Sequence, residues 1–137
     1  MDIFSINPTV VPYTVDQIAF AVHENNRIIQ DLLKDPLPSV PWASESEHIR
    51  RLITDGVLYA IELLARTDLT EDQRARLMHE RWMKFKYADG WSWGRAKNPI
   101  AKKHPLLVDY DKLPPQEKVK DFMTLSTVRV LTLHAEG

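Results

Sequence analysis

The sequence predicts a mainly α, small four-helix domain interrupted by a short β-ribbon and loop region around Gly90–Val108. Three observations carry that prediction. Ser/Thr-x-x-Glu/Gln capping signatures stand before three of four apolar-periodic stretches. Apolar residues recur at helical spacing, not in strand alternation. Between the third and fourth stretches, Gly90-Trp91-Ser92-Trp93-Gly94 places two indoles between two glycines, and a run of cations follows. The expected division is an N-terminal arm over 1–13, one domain over 14–134 and a frayed end over 135–137.

Pro8 and Pro12 make residues 1–13 an extended arm. Thr14-Val15-Asp16-Gln17 then opens helix 1, expected from Val15 to Lys34 and ending before Pro36. Its apolar stripe is Val15, Ile18, Ala19, Val22, Ile29, Leu32 and Leu33. Asn25 and Asn26 fall where the stripe calls for an apolar residue, beside His23, Glu24 and Arg27. A buried amide there needs partners, since leaving one unpaired costs about 1–3 kcal/mol. Three prolines between Pro36 and Trp42 make an irregular connection. Ser44-Glu45-Ser46-Glu47 reads as a second capping box, and helix 2 runs to Arg66 with Ile49, Leu52, Ile53, Val57, Ala60, Ile61 and Leu64 inward. Gly56 lies on that stripe. A glycine inside a helix costs about 0.8–1 kcal/mol relative to alanine, so close approach of another helix or a ligand is expected there.

Thr70-Glu71-Asp72-Gln73 caps helix 3, expected over 71–88 with Ala75, Met78, Trp82 and Phe85 on one face. Asp89-Gly90 ends it. The Trp91–Gly94 segment is a short strand or ribbon candidate, and Leu106-Leu107-Val108 a second. Pro114-Pro115 begins helix 4, proline being tolerated in a first turn. That helix carries Val119, Phe122, Met123, Val130 and Leu131.

The chain's 137 residues suffice for one domain with one core. Net charge is −1, which favours neither nucleic-acid nor membrane affinity. The charge is uneven, however. From His79 to His104 seven Lys/Arg face only Glu80 and Asp89, a local balance of +5. The absence of cysteine removes disulfides, thiolate nucleophiles and Cys-ligated zinc, and fits a reducing compartment. No basic region followed by an apolar run opens the sequence, so no signal peptide is expected. No apolar stretch approaches the roughly 20 residues of a membrane span.

The motifs of serine hydrolases, P-loop enzymes, His-Glu-x-x-His metalloproteases and dinucleotide binders are missing. His23, His79 and His104 have no recurring metal-ligand spacing, so neither a metal nor a cofactor is expected. General acid–base work by His79 or His104 with a carboxylate stays open on the residues alone. Four tryptophans are present, three of them within 12 positions. Beside cations they make either core or an aromatic wall with phosphate-contacting neighbours. Trp91 and Trp93 would face opposite ways in an extended segment, with Trp93 the better candidate for contact. On this reading Trp91 or Trp93 stacks on a base, and Arg95, Lys97 and Lys103 neutralise phosphate. His79, His104 and Asn26 bond polar edges, with Arg27 and Trp42 completing the set.

One family carries these residues in this order. His79-Glu80-x-Trp82, Lys86-x-x-Asp89-Gly90-Trp91-x-Trp93-Gly94, Lys97, Lys103-His104-Pro105-x-Leu107-Val108-x-Tyr110, Leu113-Pro114 and Lys118-x-x-Asp121 resemble the RyR domain. This is the ryanodine receptor repeat, found also as single domains in bacterial and phage proteins. His23-Glu24-x-Asn26-Arg27, Trp42 and Asp55-Gly56-Val57 resemble the single-domain members, so the resemblance spans about residues 15–133. Two departures stand out. The family often has tyrosine at Trp93 and cysteine at Leu106.

The resemblance implies a helical fold with a short β-element and no established catalytic activity. Receptor repeats occur as cytoplasmic tandem pairs, and a paired-repeat domain can hold adenine nucleotides. Microbial members occur in settings of nucleotide-derived signals, antiphage defence among them. The resulting expectation is a non-enzymatic, cytoplasmic module for an adenine nucleotide, ADP-ribose derivative or cyclic nucleotide, with a homodimer implied by the tandem pairing. Two alternatives stand beside it: a protein-interaction or structural module with the aromatic motif as core, and a single-stranded nucleic-acid binder, against which the acidic remainder of the chain argues.

Overall fold

The computed structural model describes residues 13–132; nearly all of the expected arm over 1–13, and the frayed end over 135–137, lie outside them. Four helices form the body: α1 (Val15–Leu32), α2 (Glu47–Ala65), α3 (Glu71–Ala88) and α4 (Pro115–Leu131). Helix α1 packs on α2 and α4, α3 packs on the same two, and α2 meets α4 across the bundle. The core is Ile18, Ala19 and Val22 from α1, Val57, Ala60 and Leu63 from α2, Ala75 and Met78 from α3, and Leu125 and Val128 from α4. Ala19, Ala60 and Ala75 are wholly buried, and small residues at a contact let helices approach closely. Tyr110 and Leu113, from the turn before α4, close one end.

Two of the three capping boxes form. Thr14 Oγ1 accepts the Gln17 N–H (3.1 Å) while Gln17 Oε1 accepts the Thr14 N–H (2.9 Å). Thr70 and Gln73 repeat the exchange at the start of α3. The box expected at Ser44 is corrected. Trp42–Ser44 is a 3₁₀ turn, so α2 starts later and Ser46 is its cap, accepting the Ile49 N–H. Helix α1 stops at Leu32, before the expected Lys34. Lys34 takes φ 57, and the Asp35 N–H bonds back to Gln30 O at 2.9 Å, a Schellman-type stop. Leu32 leaves the predicted stripe and is 73% exposed. In α4 the predicted Val119 and Val130 face solvent, while Leu125 and Val128 take the core positions.

The polar break in α1 serves the connection that follows it. Glu24 accepts the Trp42 N–H (3.1 Å) and Arg27 Nη1 (2.6 Å). Gln30 Oε1 accepts the Ser39 N–H (2.9 Å) and its Nε2 donates to Ser39 Oγ (3.2 Å), while Arg27 Nε donates to Ser39 O. A proline-rich segment with no secondary structure of its own is thus held by one helix face.

Helix α3 ends at Gly90, where φ is 88 and the Trp91 N–H bonds to Lys86 O at 2.9 Å. Two short strands follow, β1 (Ser92–Trp93) and β2 (Lys103–His104), paired in parallel with Ser92 opposite Lys103 and Trp93 opposite His104. The second strand therefore lies at 103–104; Leu106, placed in a strand by the sequence reading, lies in a turn. Parallel pairing needs a crossover that returns the chain to run in the same direction. Asn98 makes its last turn: its side chain accepts the Ile100 and Ala101 N–H groups and its backbone forms an antiparallel bridge with Lys103. Gly94 permits the closeness: a Cβ there would lie 2.5 Å from that of Lys103. Among the described residues no helix is long and apolar enough to cross a membrane.

Candidate functional site

The helices do not close fully on one another. A cleft of about 630 Å³ opens between them, walled by α1 (Val22, Asn26), α2 (Ile53, Gly56), α3 (His79, Trp82, Lys86), the loop after β1 (Arg95, Lys97), His104 and α4 (Lys120, Asp121). That size suits a small organic ligand. Gly56 helps to make the space. A Cβ added there would meet no atom within 4 Å, so the expected close approach of another helix does not occur and the glycine widens the cleft. One face of α3 supplies His79, Trp82 and Lys86 at helical spacing.

Three buried histidines stand in the wall, His23, His79 and His104. His79 Nε2 donates to Val108 O at 2.8 Å, and burial holds its pKa below the ordinary value. His104 is buried edge-on against Trp82, with ring centroids 4.9 Å apart. Burial first, then Lys97, Lys86 and Lys120, push its pKa down from 6.5 to about 4. Its Nδ1 accepts the Leu106 N–H at 3.1 Å. The neutral ring therefore carries its proton on Nε2.

The cations differ in how they are held. Lys97 Nζ donates to Leu37 O at 2.7 Å and lies 3.9 Å from Asp35, tying the loop after β1 to the connection after α1. Lys120 pairs with Glu117 at 2.7 Å. Lys86 Nζ sits 4.4 Å from the Trp91 ring and 5.9 Å from Trp82. Burial, then Lys97, lowers the pKa of Lys86; burial alone is the main cause for Lys97. Arg81 lies between Tyr59 and Phe85, 4.8 and 4.7 Å from their rings. Asp121 behaves in the opposite sense: burial raises its pKa from 3.8 to about 7, and Lys120 opposes that only in part.

Of the residues singled out in the sequence, Asn26, His79, Arg95, Lys97 and His104 come together on the cleft. The others stand outside its lining. Trp91 backs it, with Lys86 on its face. Trp93 is 55% exposed and does not line the cleft. Lys103 Nζ donates to Ser92 Oγ at 2.6 Å. Trp42 packs against His23, 5.7 Å between ring centroids, and Arg27 holds Ser39 and Glu24. The aromatic wall is Trp82 and Phe85 of α3, not the Trp91–Trp93 pair. Lys86, Arg81 and Asp121 were missed as site residues, although Lys86 follows Trp82 by four positions on a face already marked apolar.

A family model described as RyR domain matches residues 58–135, more than half of the chain. The match takes in α3, both strands with the loop between them, and α4, which together carry Trp82, Lys86, Lys97, His104 and Asp121. Helix α1, with Asn26, lies before it.

Proposed function

This chain belongs to the RyR domain family, and from that premise we propose that it is a non-enzymatic module binding a nucleotide-derived anionic small molecule in the cleft. The ligand class is an adenine nucleotide, an ADP-ribose derivative or a cyclic nucleotide, in signalling or phage defence. Its work is cytoplasmic, in keeping with a cysteine-free chain, and a homodimer is part of the proposal.

The observation that carries this reading is the lining of the cleft. Six Lys/Arg face four Asp/Glu in a protein whose net charge is −1, and Trp82, Phe85 and His104 stand among them. Concave sites with apolar and aromatic walls and a few convergent polar groups are where small ligands bind. Arg95 and Lys97 stand at the charged side, and the Asn26 side chain, which makes no hydrogen bond among the described residues, is free to meet a polar edge.

The test is a thermal-shift panel of adenosine, AMP, ATP, ADP-ribose and cyclic AMP. A ligand at 100 times its dissociation constant adds about 2.7 kcal/mol to stability, which raises the melting temperature by several degrees. Loss of that shift in Lys97→Met places it in the cleft. No response across the panel counts against the reading. A protein-interaction role has one observation of its own, the 55% exposed Trp93. It predicts that Trp93→Ala abolishes partner capture while leaving nucleotide shifts unchanged.

A further inference from the structure

Lys86, Lys97 and Lys120 line the cleft together with His104. Lys86 and the His104 ring both pack against Trp82 and Trp91. Two of the lysines have an oxygen partner: Lys120 the Glu117 carboxylate at 2.7 Å, Lys97 the Leu37 carbonyl at 2.7 Å with Asp35 further off. Lys86 has none among the described residues. Its ammonium rests on two indole faces, and Lys97 repels its charge while Asp89 and Glu45 attract it without bonding to it. An indole face attracts a cation but leaves its charge in place, so Lys86 keeps its N–H donors for an incoming anion.

The imidazole is set for the same task. Leu106 N–H occupies His104 Nδ1, which leaves Nε2–H as a donor. The cleft as a whole has two more cations than carboxylates. Lysine acts on phosphate as a point charge and imposes no planar fork geometry on its partner. Compact cations beside a single N–H donor suit a multiply charged oxyanion whose acceptor oxygens point in several directions.

We propose that Lys86, with Lys97 and the Nε2–H of His104, forms a subsite for a phosphoryl group, and that the ligand brings about two negative charges to it. Resting on the nucleotide reading above, this names which end of the ligand lies where. The phosphate sits beneath the loop after β1, and the remainder extends between α1 and α3 toward Asn26 and Asp121.

The experiment compares pyrophosphate, AMP and adenosine by titration calorimetry on the intact chain, its K86M and K86R variants, and K97M. The wild type should bind AMP more tightly than adenosine and should bind pyrophosphate alone. A charged hydrogen bond is worth tenfold or more in affinity, roughly. K86M should lose that factor for AMP and pyrophosphate, leave adenosine unchanged, and be rescued by K86R. K97M reads the same difference without disturbing the packing of Lys86 on the indoles. Equal binding of AMP and adenosine, or equal AMP binding by wild type and K86M, overturns the subsite while nucleotide recognition stands. Lys86-dependent binding of pyrophosphate, with no gain from the nucleoside, supports the subsite and overturns the nucleotide reading. No binding of pyrophosphate or AMP at millimolar concentration overturns the subsite.

Discussion

Replacing Asp121 by asparagine should change the pH dependence of stability in a direction fixed by burial. In the fold the carboxyl titrates at about 7, against 3.8 when unburied. Below 3.8 both states hold the proton. Between the two values the folded state keeps it and the unfolded state has lost it, so this group's stabilisation falls as pH rises and is gone above about 7. Three units at about 1.36 kcal/mol each give a size on the order of 4 kcal/mol. His104 works the other way. Its folded value is about 4 against 6.5, so its contribution is complete above 6.5 and is lost as pH falls toward 4, a size on the order of 3 kcal/mol. His79, also lowered by burial, adds to the same side. The two effects offset each other between 4 and 6.5 in the wild type, which should show a shallow profile. D121N removes one of them, so its stability should climb with pH by about 3 kcal/mol over that range. H104N should do the reverse. Urea unfolding followed by tryptophan fluorescence, stepped from about pH 4 to pH 8, reads both. Parallel profiles for D121N and wild type would refute the reasoning, because the carboxyl would then titrate alike folded and unfolded.

Three other substitutions follow from the geometry. Gly56→Ala puts a methyl group into open cleft on an α2 helical turn; chemical denaturation should show a gain of about 0.8–1 kcal/mol, and calorimetry a weakened ligand. Trp93→Ala removes a ring that is 55% exposed, so denaturation should show a loss well below the roughly 3–5 kcal/mol of a buried ring; a loss of that full size would return the motif to the core. Arg74 is buried and donates to the carbonyls of Leu63 and Arg66 at the end of α2 and to Glu71. R74A should cost about 2–4 kcal/mol in urea unfolding, since charged hydrogen bonds contribute about 1.5–3 each and the freed carbonyls stay buried; a loss under a half would show that water replaces the arginine.

What the sequence disclosed depended on how local the signal was. Thr14 and Thr70 form their boxes because the partner glutamine is three residues on and no other element competes. Ser44 carries the same local signature and fails, because Trp42–Ser44 turns to hand the Trp42 N–H to Glu24 of α1. Leu106-Leu107-Val108 had stronger strand character than Lys103-His104, yet pairing went to the latter. The Asn98 turn sets the register, and Leu107 is buried instead. In α4 polar and apolar residues mix, so the stripe was misphased onto Val119 and Val130.

The candidate site divides in the same manner. His79, His104 and Lys97 were marked by their neighbours in one motif and do meet on the cleft. The choice of Trp93 as the contact residue rested on strand alternation, which settles that two indoles face apart but not which side holds the cavity. Trp82 fills that role from α3. Asp121 gave no local sign, because one carboxyl's burial is decided by helices far away in sequence.

The most direct test of the cleft as the binding site uses the four indole N–H resonances, observed by ¹⁵N–¹H correlation during titration with the tightest nucleotide of the panel. Trp82 lines the cleft and Trp93 lies outside it. The expected result is a ligand-dependent shift of the Trp82 indole with Trp93 unmoved. A shift confined to Trp93, with Trp82 still, would contradict the assignment and move binding to the outer face of β1.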